Sequence, residues 1–175
     1  MPPRPEGRGR TAKRQLMQVR DLTVQPPRRW SEEVGSIRWL PRLIDKTRAA
    51  LAGTLGDYLY GQSPMDRELL RALGLRYREF TRIVREAPDD AAVLAALERE
   101  VPGGMRRARL WSAALPRRHR LFLFAIDIDD GYAGGLWAAL KRPSNALASL
   151  ATRLLKRAYP SKATQVDDGS PPSGP

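Results

Sequence analysis

The stretch Leu40–Gly61, LPRLIDKTRAALAGTLGDYLYG, decides how this chain folds. At about 100° of rotation per residue, Leu40, Leu43, Ile44, Leu51 and Leu55 gather on one arc of a helix, the spacing of a buried stripe. Arg38, Arg42, Asp45, Lys46, Ala49 and Gly53 share the opposite arc, flanked by Arg48 and Ala52. The pattern predicts a helix that begins between Ser36 and Pro41 and stops near Gly53 or Gly56. Asp45 stands three residues from both Arg42 and Arg48, so its carboxylate is placed to bridge two guanidinium groups along the helix. On a solvated face such pairs contribute only about 0.2–0.5 kcal/mol each. The company they keep raises a second reading. Ala49, Ala52, Gly53 and Gly56 make the face low, so a ligand can come close to the backbone. If the helix begins at Pro41, Arg42 lies in the first turn, where the positive end of the helix dipole adds to an anion site.

Outward from this helix, prolines and glycines punctuate a series of short helices. DLTVQPPRRWSEEVGS, residues 21–36, reads as an extended lead-in stiffened by Pro26 and Pro27, strapped across the core by Leu22, Val24 and Trp30. Ser63, Pro64 and Asp66 occupy the cap, first-turn and acidic positions of a second helix that Gly74 stops. Tyr77, Phe80, Ile83 and Val84 mark a third helix, and Val93, Leu94 and Leu97 after Pro88-Asp89-Asp90 a fourth. Gly103-Gly104 breaks the chain, and Met105 to Leu115 forms a fifth, ended by Pro116. RRHRLFLFAIDIDDGYAGG, residues 117–135, is ambiguous by periodicity, and the expectation is a buried helical turn or an extended strap. Leu147, Leu150, Ala151, Leu154 and Ala158 define a last amphipathic helix. The fold class expected is all-α, a single small domain of about five or six short helices with disordered N- and C-terminal tails. Its parts are a basic arm over residues 1–20, a helical domain over 21–131, an amphipathic extension over 132–160 and a tail over 161–175.

Composition narrows the chemistry. The chain has no cysteine and one histidine, His119, so disulfides, thiol catalysis and cysteine- or histidine-built transition-metal sites are excluded, and neither a metal nor a cofactor is expected. MPPRPEGRGRTAKRQ lacks the apolar core of a secretory signal, and the apolar run LFLFAI is too short to span a bilayer. A cytoplasmic location is the expectation. The formal net charge of +12 sits in three blocks. Arg4, Arg8, Arg10, Lys13, Arg14 and Arg20 lie in the arm; Arg106, Arg107, Arg109, Arg117, Arg118 and Arg120 form a middle block; Lys141, Arg142, Arg153, Lys156 and Arg157 a third. No acid interrupts residues 101–126. Such charge attracts nucleic acid or other polyanions weakly and without sequence preference, since no reading motif accompanies it.

DLTVQPPR, then LPRLIDKTRAALAGTLGDY, then Pro64-Met65-Asp66, and much later IDIDDG together resemble the signature segments of a bacterial family of unknown function, DUF5069. The resemblance spans roughly Asp21 to Gly131. Its matching positions are Asp21, Arg28, Arg42, Asp45, Lys46, Arg48, Gly53, Gly56, Tyr58, Asp66, Asp127 and Gly131. It implies a helical fold and a bacterial cytoplasmic protein, with no established activity. The arginine-rich segment before IDIDDG and the extension after it depart from the family pattern.

Two functional classes compete. The first is a binding domain, in which Arg42, Asp45, Lys46, Arg48, Tyr58 and Asp127 form a site for an anionic small molecule. Guanidinium forks suit phosphate or carboxylate oxygens because they hold them bidentately. The second is an enzyme with Asp45 or Asp66 as general base and Tyr58 as acid; neighbouring cations would keep Asp45 ionised and make it a weak base, which counts against catalysis. FLFAIDIDDG resembles the nucleophilic segment of aspartate-based phosphotransferases only locally, and the spacing of Asp127, Asp129, Asp130 and Gly131 does not match a calcium loop. Those acids are instead available to pair with Arg42 or Lys46. A purely structural charge network around Asp45 is the competing account.

Overall fold

A computed structural model describes residues 19–134. The expected basic arm, C-terminal extension and tail lie outside these residues, apart from positions 19–20 and 132–134. Within them the architecture is helical, with one small hairpin: β1 (Glu33–Val34), β2 (Ile37–Arg38), α1 (Leu40–Ala52), α2 (Pro64–Leu73), α3 (Tyr77–Glu86), α4 (Asp90–Glu100), α5 (Pro102–Arg118) and α6 (Arg120–Asp129). The two strands pair antiparallel with Val34 opposite Ile37. Gly35 and Ser36 both adopt positive φ at the turn, which matches the twist of a two-residue hairpin.

The helix boundaries follow the punctuation in the sequence. Gly53 and Gly74 cap α1 and α2 in the left-handed conformation and donate their N–H groups to the last carbonyls. Asp89 caps α4 by accepting from the Ala92 N–H at 2.8 Å. Two expectations fail at the fifth helix. Gly103 and Gly104 lie inside the first turn of α5, and Pro116 lies within its last turn. Gly104 is there because α2 crosses tightly: a Cβ at that position would sit 1.9 Å from the Leu73 carbonyl oxygen. Segment 120–129, ambiguous in the sequence, is a ten-residue helix whose cap His119 it shares with α5.

The core is built from Ile37, Trp39, Leu40, Leu43, Ile44, Leu69, Leu73, Phe80, Ile83, Leu97, Met105 and Leu115. At its centre runs α1, buried continuously from Leu40 to Ala49. The expected apolar stripe is correct at Leu40, Leu43 and Ile44, but Leu51 is exposed and Leu55 only half-buried. The strap also differs in one member. Leu22 is buried and donates its N–H to Thr54 O at 2.9 Å, Trp30 is half-buried, and Val24 faces solvent. Gly56 lets the strap pass, since a Cβ there would lie 2.7 Å from the Leu22 carbonyl oxygen.

Candidate functional site

The charged face of α1 is neither wet nor bare. Arg42, Asp45, Lys46 and Arg48 are all buried, and each takes its partner from another part of the chain. Asp45 does not bridge Arg42 and Arg48; it receives the Arg28 backbone N–H at 2.8 Å and the Arg28 guanidinium through Nε at 3.0 Å and Nη2 at 2.8 Å. Arg48 instead meets Asp90 at the start of α4, at 2.7 Å, and Arg28 shares that carboxylate. Lys46 places Nζ 2.7 and 2.5 Å from the two oxygens of Asp66 on α2 and 3.4 Å from Leu59 O. Arg42 meets Asp130, just past α6, through Nη1 at 2.5 Å and Nη2 at 3.4 Å. Neutralisation of this kind is what permits burial, because removing an unpaired ion from water costs several kcal/mol.

The local backbone supports these pairings. Trp39, the residue before α1, adopts φ of 68°, unusual for a bulky side chain, and its N–H reaches Trp30 O at 3.0 Å. That turn lays the indole under the cations: the Arg42 guanidinium lies 5.3 Å and Lys46 Nζ 5.7 Å from the ring centroid. The indole Nε1 donates to Asp66 at 2.8 Å. Asp66, the acidic residue of the first turn of α2, is a fully buried acceptor for Lys46 and Trp39. Tyr58 follows the same logic from the loop after α1, donating its hydroxyl to Asp130 at 2.9 Å with its ring 5.6 Å from the Arg42 guanidinium.

The titration of the cluster reflects burial first. Desolvation, followed by the nearby Arg42 charge, pushes the Lys46 ammonium below its ordinary value, and Asp66 opposes this. Desolvation and the Asp130 carboxylate push the Tyr58 phenol well above its ordinary value. For Asp90, burial pulls upward, but the guanidinium groups of Arg28 and Arg48 pull further down, and its carboxyl titrates below the usual aspartate range.

A cavity of about 600 Å³ opens against one side of this cluster. Arg42, Lys46, Tyr58 and Asp130 form its charged wall, while Trp39, Phe122, Ile126 and the strap residues Leu22 and Pro26 form its apolar wall. Asp57 and Asp129 also border it. Of the residues expected to share a site, Arg42, Lys46 and Tyr58 meet here. Asp45 and Arg48 face the Arg28–Asp90 side, and Asp127 pairs with Arg29 at 2.7 Å on the other side of α6. The sequence placed Asp130 only among acids able to meet Arg42 or Lys46, named Arg28 only as a position of the family resemblance, and did not single out Trp39, Arg29 or Asp90. Among these, Trp39 carried a usable signal, an aromatic residue directly before a proline-started helix of cations.

Neither proposed general base opens onto the cavity: Asp45 is held by Arg28 and Asp66 by Lys46 and Trp39. His119, set among arginines in the sequence, lies 3.3 Å from Glu68. Among the described residues no helix is long and apolar enough to cross a membrane. No curated protein matches the chain. A family model does match, over residues 24–118, which leaves Asp21, Asp127 and Gly131 of the signature resemblance outside the matched span and takes in the whole of α1. With more than half of its length under that match, the chain belongs to the family described as Domain of unknown function (DUF5069).

Proposed function

We propose that this is a small-molecule-binding domain, and that its site is the cavity between the strap, α1 and α6. The observation that supports this reading is the position of the Arg42 guanidinium on the wall of a roughly 600 Å³ space, a volume in the range of ligand pockets, with one nitrogen engaged at only 3.4 Å. The ligand has a carboxylate or phosphate group that joins Asp130 on Arg42, and an apolar or aromatic body that rests on Trp39 and Phe122. Lys46 contributes field rather than a hydrogen bond, because Asp66 and Leu59 O already receive its protons. Asp45, Arg48 and Asp127 hold the walls in place. The protein works in the cytoplasm by this reading.

The pairing of each α1 cation with a carboxylate supports a second reading, in which the cluster is scaffold and holds no ligand. Thermal melts of the full chain against a panel of phosphorylated and carboxylated metabolites separate the two. Stabilisation of the wild type by one compound, lost in Tyr58→Phe and in Phe122→Ala while both variants fold, supports the binding site. Absence of any ligand-dependent shift across the panel, with unfolding on loss of Lys46 or Asp66, leaves the scaffold.

A further inference from the structure

The two faces of α5 differ sharply. At about 100° per residue, Arg106, Leu110, Ala113 and Arg117 fall within one narrow arc, and all four are exposed. The opposite arc holds Gly104, Met105, Ala108, Ser112 and Leu115, all buried. Leu110, 68% exposed, stands between Arg106 and Arg117, which lie about 16 Å apart along the helix. Leu121, 83% exposed, comes directly after the second arginine cluster, Arg117, Arg118 and Arg120. Among the described residues, Arg109 is the one arginine of α5 that meets a carboxylate, Glu98 at 2.9 Å. No acid interrupts residues 101–126, so the surface combines uncompensated positive charge with projecting aliphatic side chains.

An anionic bilayer surface answers both features. Its headgroups take guanidinium groups carried on long flexible stems, while leucines pass between them to the acyl boundary. Nucleic acid answers only the charge. A leucine offers nothing to a phosphate, and Trp111, the sole aromatic residue of α5, is turned to α2, where its indole N–H donates to Glu68 at 3.1 Å instead of presenting a face for stacked bases. A second copy of the same surface would meet it with like charge.

We propose that the outer face of α5 docks the protein reversibly on an anionic lipid surface, with Leu110 and Leu121 inserted among headgroups that Arg106, Arg117, Arg118 and Arg120 engage. The helix lies on the surface and does not cross it. The dock is independent of the ligand cavity, whose lining contains no residue of α5.

The chain has no cysteine, so a single introduced one can carry an environment-sensitive fluorophore at a chosen place. In the full chain, a label on Leu110→Cys should shift to the blue with vesicles of mixed phosphatidylglycerol and phosphatidylcholine and stay unshifted with phosphatidylcholine alone. A label on Leu51→Cys, exposed on α1, should stay in water with both. In the Leu110→Cys protein, Arg106→Gln/Arg117→Gln should raise the lipid concentration for half the shift by about twentyfold, at roughly a factor of five for each cation. Leu121→Ser, which changes no charge, should raise it by about tenfold. These positions are exposed, so the variants keep the fold. A label at 110 that stays in water with the anionic vesicles overturns the proposal, as do equal shifts at 51 and 110 or an unmoved midpoint in either variant. A shift at 110 caused by duplex DNA and not by vesicles overturns it in favour of nucleic acid.

Discussion

Lys46 and Asp66 form an ion pair 2.5 Å long whose side chains are 4% and 0% exposed, and the Trp39 indole donates to the same carboxylate. Removing one member leaves the other charge buried and uncompensated. Lys46→Ala and Asp66→Ala should each destabilise the fold by about 3–5 kcal/mol in denaturant melts. The apolar double variant Lys46→Met/Asp66→Leu should recover part of this, short by about 1–3 kcal/mol because Trp39 Nε1 loses its acceptor. Double-variant stability no better than either single variant would show that the pair acts through something other than charge.

Asp90 gives the pH dependence. Its folded carboxyl titrates below the ordinary value of 3.8, because Arg28 and Arg48 outweigh burial. The folded state thus binds that proton less tightly than the unfolded state, so the stabilisation is complete above pH 3.8 and is lost as pH falls through the lower folded value. Asp90→Asn should be less stable than wild type at neutral pH, and the difference should shrink steadily below that point. A gap that persists unchanged at pH 2 would assign the loss to packing.

Gly104 is expected to tolerate no side chain. A methyl group there would meet the Leu73 carbonyl, which belongs to the backbone and cannot swing away. Gly104→Ala should lower stability by about 1–3 kcal/mol, the range for overpacking, despite alanine's better helix propensity. An unchanged Tm would mean that α2 and α5 part at little cost.

The middle basic block should attract polyanions in the proportion its charges predict. Arg106, Arg107, Arg109, Arg117, Arg118 and Arg120 are all exposed along α5 and the start of α6. Binding of the full chain to duplex DNA should be weak and indifferent to sequence, falling by up to about a thousandfold between roughly 50 and 200 mM salt if all six engage phosphates. Arg117→Glu/Arg118→Glu should flatten that slope. Affinity that survives high salt, or prefers one sequence, would point to a specific interface.

Elements bounded by local chemistry were legible before the structure. Pro41 with Gly53 and Pro64 with Gly74 mark α1 and α2 because starts and stops are decided within a turn. The hairpin at Gly35-Ser36 was missed, since two-residue strands have no periodicity to read. Pro116 misled because it lies in the last turn of α5, where it forfeits one backbone hydrogen bond while the helix runs only two residues further. The cavity's charged residues were half legible. Arg42, Lys46 and Tyr58 stood out by type and spacing. Their pairing with Asp66 and Asp130 did not, because these acids lie 20 and 88 positions away from Lys46 and Arg42, and only packing brings them near. The same long-range pairing diverted Asp45 from the local bridge that its spacing suggested.

The distance between partners along the chain also constrains how this protein is made. Arg42 waits for Asp130, 88 residues later, and Arg29 for Asp127, 98 residues later. At about 5–20 residues per second of synthesis, α1 emerges many seconds before its last counter-charge exists. Until then Arg42 on α1 lacks the carboxylate that neutralises it in the folded chain, and burying it unpaired would cost several kcal/mol. Burial of Arg42 is therefore expected to be completed only after α6 has been added, when both members of its ion pair exist.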